Sequence, residues 1–163
     1  MRTGAQFSPC RKYRYLLWRI WNESRDRLCT WILLNPSTAN ENRDDPTIKR
    51  CMRRAVNDGW GGLLVVNLFG WRSTFPMSLV KAADPIGSEN DNAILRAVQG
   101  VGIVLCGWGR HGKIQSRDER VLRLLREVNA KPYALSFNSD GTPKHPLYVP
   151  YSTSPVLMEG FRQ

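Results

Sequence analysis

The chain alternates between near-continuous apolar runs and stretches in which apolar residues recur at helical spacing. Residues 28–34, 63–69 and 101–107 are apolar runs of strand length, a pattern typical of parallel strands that are buried on both faces of a sheet. Residues 13–21, of mixed polarity, predict an edge strand, and residues 132–137 predict another strand. Strands that alternate with helices indicate a three-layer α/β/α sandwich with a mainly parallel central sheet.

The first predicted helix has clear start and stop signals. Asp45 is typical of an N-cap and Pro46 of the first helical position, while Gly59 favours the end of the helix. Its apolar residues recur at the spacing of one helix face. Further helices are predicted over 78–83, Asn90–Val98 and 116–129.

The length and composition favour one domain. A chain of 163 residues, 42% of them hydrophobic, can bury a sizeable core. We expect a single domain over residues 1–163 with a core at about 13–150 and a surface tail from Val149. No segment approaches the roughly 20 apolar residues that span a bilayer. Residues 1–14 also lack the apolar region of a secretory signal.

The cysteines and histidines do not form a metal-binding pattern. The four cysteines include no Cys-x-x-Cys pair and lie far in sequence from His111 and His145, which is unlike the spacing of a zinc site. Cys29, Cys51 and Cys106 lie among apolar residues and fit small core side chains. We therefore predict no metal, and a reduced, cytoplasmic protein.

Polar residues follow the predicted strands at the points where they end. Asn35 comes directly after the first apolar run, and Pro36 stops the strand because it has no N–H for a ladder. Asn67 interrupts the second run, and His145 lies in a proline-flanked loop after the last strand. Open α/β sheets bind their ligands at the carboxyl ends of the strands. We therefore expect these side chains to share one cleft.

A structural role stays open for each of these residues. A buried asparagine such as Asn67 commonly satisfies only a neighbouring backbone group, and an isolated loop histidine is usually a surface residue. Ser37 and Thr38 do not lie in a Gly-x-Ser-x-Gly nucleophile elbow. Their hydroxyls are typical of turns and helix caps.

The glycine-rich segment 107–112 follows the third apolar run. Glycines allow backbone N–H groups to approach an anion, and a following helix adds positive potential. The segment lacks both the Gly-Lys-Ser/Thr ending of a P-loop and the Gly-x-Gly-x-x-Gly spacing, so we predict no cofactor. A contact with a DNA phosphate and a plain tight turn are the two alternatives.

The chain is strongly basic, with a net charge of +10 from 24 Lys and Arg against 14 Asp and Glu. This excess favours a polyanionic partner, most often nucleic acid, although solvated basic surfaces also occur without one. Two predicted helices carry clusters of basic residues: Lys49, Arg50, Arg53 and Arg54 on the first, and Arg117, Arg120, Arg123 and Arg126 on the last.

Taken together, these motifs resemble those of a known superfamily. Asn35-Pro36-Ser37, Asn67 and His145-Pro146, each after a predicted strand, are similar to the three motifs of the uracil-DNA glycosylase superfamily. More closely, residues 13–150 resemble a small family of uncharacterised domains from bacteria, phages and metagenomes. The motifs that carry this likeness are Leu-Leu-Asn-Pro-Ser-Thr-Ala, Asp-Pro-Thr, Val-Asn-Leu-Phe, Asn-Asp and His-Pro-Leu-Tyr.

The resemblance implies a monofunctional DNA glycosylase, which flips a nucleotide out of the stack and hydrolyses its N-glycosidic bond. Asn35 would hold the attacking water, and His145 would donate a hydrogen bond to the departing base. Leu34 stands where glycosylases often have Gly, Leu147 where they usually have Ser, and Asn35 where the best-known branch has Asp. These departures favour a modified phage pyrimidine over uracil as the substrate, and hence a role in antiviral defence.

The same chemistry assigns further residues. The base would be bound by Asn67, Phe69, Trp71 and Arg72. DNA is the one partner that we predict, with no membrane and no obligatory protein partner. The residues that would contact the DNA are Ser37, Thr38, Lys49, Arg53, Trp108, Arg110, Lys144, Leu147 and Tyr148. Asp44 and Asp91 are acidic residues without an assigned catalytic role. Two alternatives stay open: a non-catalytic nucleic-acid-binding module that uses the basic helices, and an enzyme that acts on free modified nucleotides.

Overall fold

The computed structural model describes residues 1–161 of the chain. The strands are β1 (Arg2–Phe7), β2 (Arg14–Ile20), β3 (Leu28–Leu33), β4 (Gly62–Asn67), β5 (Ile103–Cys106), β6 (Pro132–Ala134) and β7 (Val156–Leu157). The α-helices are α1 (Pro46–Asn57), α2 (Ser78–Lys81), α3 (Asn90–Val98) and α4 (Arg117–Glu127). Short 3₁₀ helices cover Arg25–Arg27, Arg110–Ser116 and Pro146–Tyr148.

The seven strands form one sheet in the order β1-β2-β4-β3-β5-β6-β7. The four central strands, β4, β3, β5 and β6, are parallel, and the outer strands pair antiparallel. The chain builds outward from β3 in both directions, since β4 lies on one side of it and β5 on the other. The strand order therefore reverses at β3, which is the position where open α/β sheets form a ligand crevice.

Helices cover both faces of the sheet, so the predicted α/β/α sandwich is confirmed. Successive side chains of β3 point to opposite faces, and each face has its own core. Trp31 packs on the α1 side with Cys51 and Ala55. Ile32 packs on the other side with Ile94 of α3 and Val121 of α4. Asp45 caps α1 and Pro46 begins it, as the sequence predicts.

Two predictions about the edges of the sheet are wrong. β2 is not an edge strand, because β1 pairs along it. β1 escapes sequence analysis because its six residues contain no apolar run. The tail after Val149 is not only surface, because β7 pairs with β6. Within residues 1–161, no helix is both long and apolar enough to cross a membrane.

The basic residues of α1 do not form a continuous free cationic surface, which corrects the sequence-based interpretation. Arg54 is only 1% exposed and donates to the backbone carbonyls of Pro150, Tyr151 and Thr153. Arg50 donates to the carbonyls of Pro146 and Val149 at 3.3 and 2.6 Å. These two arginines therefore fasten the segment 146–153 to α1, and Lys49 and Arg53 remain as the exposed cations of this group.

We expect Arg54→Ala to lower the free energy of unfolding by about 3 kcal/mol, because three partly buried backbone carbonyls lose a charged donor. Arg53→Ala, one residue earlier on the exposed side of α1, is the matched control and should change stability by less than about 0.5 kcal/mol. Urea denaturation followed by tryptophan fluorescence measures both values. Equal effects of the two substitutions would contradict the structural role of Arg54.

Candidate active site

A cavity of about 600 Å³ lies at the carboxyl ends of β3, β4 and β5, where the strand order reverses. Its volume is within the roughly 300–1,000 Å³ typical of small-molecule sites. The wall is completed by the N-terminus of α1 and by the segments around residues 73–76, 108–111 and 144–148. The cleft expected from the polar strand ends is therefore present, with Asn35, Asn67 and His145 all lining it.

Asn35 extends from the end of β3 and is held by the backbone of a neighbouring loop. Its Nδ2 donates to the carbonyl of Ser73 at 2.8 Å and to that of Pro36 at 3.1 Å. Both amide hydrogens are thus in use, which fixes the orientation of the side chain. Oδ1 makes no hydrogen bond to the described residues, and because Asn35 lines the cavity, this oxygen can accept a hydrogen bond from a water molecule.

Asn67 ends β4 and is 2% exposed. Its Oδ1 accepts from Nη2 of Arg14 at 3.4 Å. Because an arginine can only donate, this contact assigns Oδ1 to the arginine side. Nδ2 makes no hydrogen bond to the described residues and remains as a donor for a ligand. Asn90 fixes the backbone here, since its Nδ2 donates to the Asn67 carbonyl at 2.8 Å.

His145 caps the 3₁₀ helix Pro146–Tyr148. Its Nδ1 accepts from the backbone N–H of Leu147 at 3.2 Å, so the proton of the neutral ring lies on Nε2. Burial lowers the pKa of His145, and the carboxylate of Asp45 partly offsets this effect. The neutral ring is therefore favoured, and Nε2–H is a donor suited to an anion that develops in the cavity.

Asp45 borders the cavity but has both carboxylate oxygens engaged. Oδ1 accepts from the N–H of Ile48 at 2.9 Å, and Oδ2 accepts from the N–H of Ala39 at 3.3 Å. The side chain thus anchors the N-terminus of α1 and the loop after β3. Burial lowers the pKa of both Arg14 and His145, and the negative charge of Asp45 lies close enough to offset part of this effect.

Several other sequence-predicted residues lie on the cavity wall. They are Ser37, Trp108, Arg110, Lys144, Leu147 and Tyr148. Leu147 is 39% exposed and Tyr148 is 76% exposed, although both are apolar or aromatic. Arg110 is held near Ser139, to whose hydroxyl it donates at 3.2 Å. The mouth of the cavity therefore combines positive charge with exposed hydrophobic side chains.

Three residues assigned to base binding do not reach the cavity. Phe69 is fully buried in the core and cannot stack on a ligand. Trp71 packs edge-on against Tyr13, with ring centroids 5.5 Å apart, and Arg72 donates to the Arg11 carbonyl at 3.0 Å. The reason is the backbone path after β4, which turns these side chains into the core and toward the β1–β2 loop.

The remaining assigned residues lie outside the cavity wall. Thr38, Lys49 and Arg53 are exposed, so their contact with DNA stays a prediction. Asp44 forms an ion pair with Arg19 at 2.8 Å. Asp91 lies in the first turn of α3 and pairs with the buried Arg117 at 2.5 Å.

Sequence analysis missed several lining residues. The most buried polar residue among them is Arg14, at the start of β2, and further examples are Thr47, Ser73, Thr74, Pro76, His111 and Asn138. A cationic residue at the start of a strand gives no sequence signal of burial, because solvated strand ends carry the same residue types. Among residues 1–161, no group of three or more His, Cys, Asp or Glu residues could hold a metal ion.

The fold and the site together define an α/β sandwich protein with a ligand cavity at the switch point of its parallel sheet. Residues 14–147 match the family described as "Protein of unknown function (DUF1643)", and the chain belongs to this family. The matched span contains Arg14, Asn35, Asn67 and His145, so the polar groups of the cavity are all part of the family domain. Searches of curated proteins and of solved structures gave no match.

We expect Asp45→Asn to lower the pKa of His145 further, because the substitution removes the negative charge that raises it. Asparagine is also a good N-cap, so α1 should persist. The measurement is an NMR titration of the imidazole C–H signals in both proteins. In the wild type, His145 should titrate below its ordinary pKa, and a rise or no change in the variant would contradict this electrostatic account.

The sign of the effect on stability follows from linkage. The unfolded chain takes up a proton at His145 before the folded protein does, so stability declines as the pH falls from about 6.5 through the lower folded pKa. A His145→Gln variant should lack this contribution, and its stability should fall less steeply over the same window. Parallel denaturation curves at several pH values show the difference.

Proposed function

We propose that this protein is a DNA glycosylase that hydrolyses the N-glycosidic bond of a flipped, modified pyrimidine of the kind found in phage DNA. The observation that carries the proposal is that one cavity is lined both by His145, whose neutral ring has Nε2–H as a donor, and by Asn35, whose Oδ1 is a free acceptor. The first group suits a departing anion, and the second suits a nucleophilic water. The motif resemblance to uracil-DNA glycosylases supports the same chemistry.

The reaction can be written with these groups in defined roles. The bond between the sugar C1′ and the base nitrogen breaks, and its electron pair leaves with the base. His145 donates a hydrogen bond to the base as its negative charge develops, which stabilises the transition state. Water held by Asn35 adds to the cationic sugar carbon and releases a proton, which neutralises the base anion. The products are a free base and an abasic site.

Asn67 would bind the edge of the flipped base. Its Nδ2 lacks a protein partner and can donate to a base oxygen or ring nitrogen, while its orientation is fixed by Arg14 on one side and by Asn90 through the backbone. A rigid amide of this type discriminates well, because a base without a matching acceptor would leave a buried donor unpaired.

The mouth of the cavity favours a polymeric substrate over a free nucleotide. Leu147 and Tyr148 project into solvent and are suited to fill the gap that a flipped base leaves in the stack. Arg110 and Lys144 beside them can contact the flanking phosphates. The alternative of a simple binding module has less support, because it depended on basic helices in which Arg50 and Arg54 are committed to backbone carbonyls.

We expect Asn35→Ala and His145→Ala each to abolish base release while the affinity for DNA changes by less than about tenfold, or roughly 1.4 kcal/mol. Both groups act on water and charge that appear only on the way to the transition state. The measurement is the count of abasic sites, seen as alkali-labile breaks, in phage DNA that carries enlarged pyrimidines.

Asn57→Ala is the matched control, since Asn57 is exposed at the end of α1 and lies outside the cavity wall. It should cleave like the wild type. If the wild-type protein makes no abasic sites in any natural or modified DNA, the glycosylase proposal fails and a binding module takes its place.

Binding to DNA should weaken as salt rises, with a slope set by the phosphates that are contacted. We expect Arg110→Gln and Lys144→Gln each to reduce the magnitude of the slope of log K against log[salt] by about one. Arg120→Gln, on the exposed side of α4, should leave it unchanged. Fluorescence anisotropy with a labelled duplex gives the slopes. If all three variants have the slope of the wild type, the DNA does not bind at the mouth of the cavity.

A further inference from the structure

Four arginines are buried in this fold, and they provide an internal comparison. Arg14, Arg19, Arg54 and Arg117 are all 1–2% exposed. A buried guanidinium is costly unless its charge is paired and its N–H groups are hydrogen-bonded. We therefore compare the partners of the four side chains to find which guanidinium still has N–H groups available for a ligand.

Two of the four have a carboxylate partner within the protein. Arg19 pairs with Asp44 at 2.8 Å and also donates to backbone carbonyls. Arg117 pairs with Asp91 and donates to the Leu68 carbonyl at 2.7 Å. Arg54 has no carboxylate partner and its buried Nε makes no hydrogen bond, but its Nη1 and Nη2 donate to three carbonyls of the segment 146–153.

Arg14 also lacks a carboxylate partner, and it makes two hydrogen bonds where Arg54 makes three. Nη1 donates to the Ala39 carbonyl at 3.1 Å, Nη2 donates to Asn67 Oδ1 at the long distance of 3.4 Å, and buried Nε has no partner. No carboxylate of the described residues lies within 4.0 Å of it. A guanidinium has five N–H groups, so most of its donor capacity is unused. Arg14 is also the one of the four that borders the cavity.

The surroundings of Arg14 add donors and positive charge. Asn67 presents Nδ2 without a protein partner on the same inner wall, and Arg110 and Lys144 contribute cations nearer the mouth. Asp45 is the one carboxylate on the wall, and both of its oxygens already accept backbone N–H groups. A ligand that reaches this wall therefore meets donors, and its best complement is an anionic oxygen.

We propose that the inner wall of the cavity binds an anionic oxygen between Arg14 and Asn67. This oxygen belongs to a carboxylate or a phosphate group of the substrate. The inference rests on the proposed function for one point, that the substrate is a modified pyrimidine. It adds the chemical class of the modification, which is an acidic substituent on the base. The anion site itself depends only on the contacts of Arg14.

Isothermal titration calorimetry tests the inference with a matched pair of free bases. 5-Carboxymethyluracil is anionic, and 5-carbamoylmethyluracil is its neutral counterpart of the same shape. We expect the wild type to bind the acid at least about tenfold more tightly than the amide. Orthophosphate is the third probe. If the protein binds orthophosphate but not the acid, the anionic oxygen comes from a phosphate group.

Variants connect the preference to Arg14. Arg14→Gln should lose the preference for the anion, Arg14→Lys should retain part of it, and Arg120→Gln should retain all of it. Asn67→Asp keeps the test valid if Arg14→Gln does not fold. Its new carboxylate should pair with Arg14, raise the melting temperature and abolish the preference for anionic probes.

Equal affinity of the wild type for the acid and the amide, with no binding of orthophosphate, would overturn the inference. So would an unchanged preference in Asn67→Asp. These binding experiments do not require catalysis. A protein that binds the anion through Arg14 but releases no base from DNA would refute the glycosylase proposal and leave the anion site established.

Discussion

The parallel ladder around β3 is the interaction on which the site depends. Leu33 of β3 lies in register with Asn67 of β4, and hydrogen bonding continues beyond the strands, from the N–H of Leu68 to the Leu33 carbonyl at 2.8 Å and from the N–H of Phe69 to the Leu34 carbonyl at 3.0 Å. This register brings two asparagines to one edge of the sheet. A slip of one residue would turn Asn67 to the opposite face, and the cavity would lose the free amide donor of this side chain.

Arginines that donate to backbone carbonyls hold much of the remaining structure in place. Arg50 donates to the Pro146 carbonyl at 3.3 Å, one residue after His145, and thereby holds the histidine loop against α1. Part of the strong positive charge of the chain therefore serves the fold by binding backbone carbonyls and carboxylates. The net charge of +10 consequently overstates the cationic surface that is available to a polyanion.

The sequence predicts the sheet and the polar strand ends well, because apolar runs define parallel strands and such strands end at a common edge. Asn35, Asn67 and His145 are found together for this reason. Phe69 and Arg72 are misplaced because the chain has left β4, and strand alternation no longer determines where their side chains point. Arg14 is missed and Arg54 is assigned to the wrong role, because the partners of a long cationic side chain depend on tertiary contacts, which leave no periodic signal.

The most direct test of the central claim is mass spectrometry of the small molecules that wild-type protein releases from a panel of normal and phage-modified DNAs. The account predicts a free pyrimidine base, with a matching abasic site in the DNA, from one class of modified DNA. Release of a nucleotide or nucleoside would contradict it, because the cut would then lie in the sugar–phosphate backbone. DNA that is bound but yields no free base from the whole panel would contradict it equally.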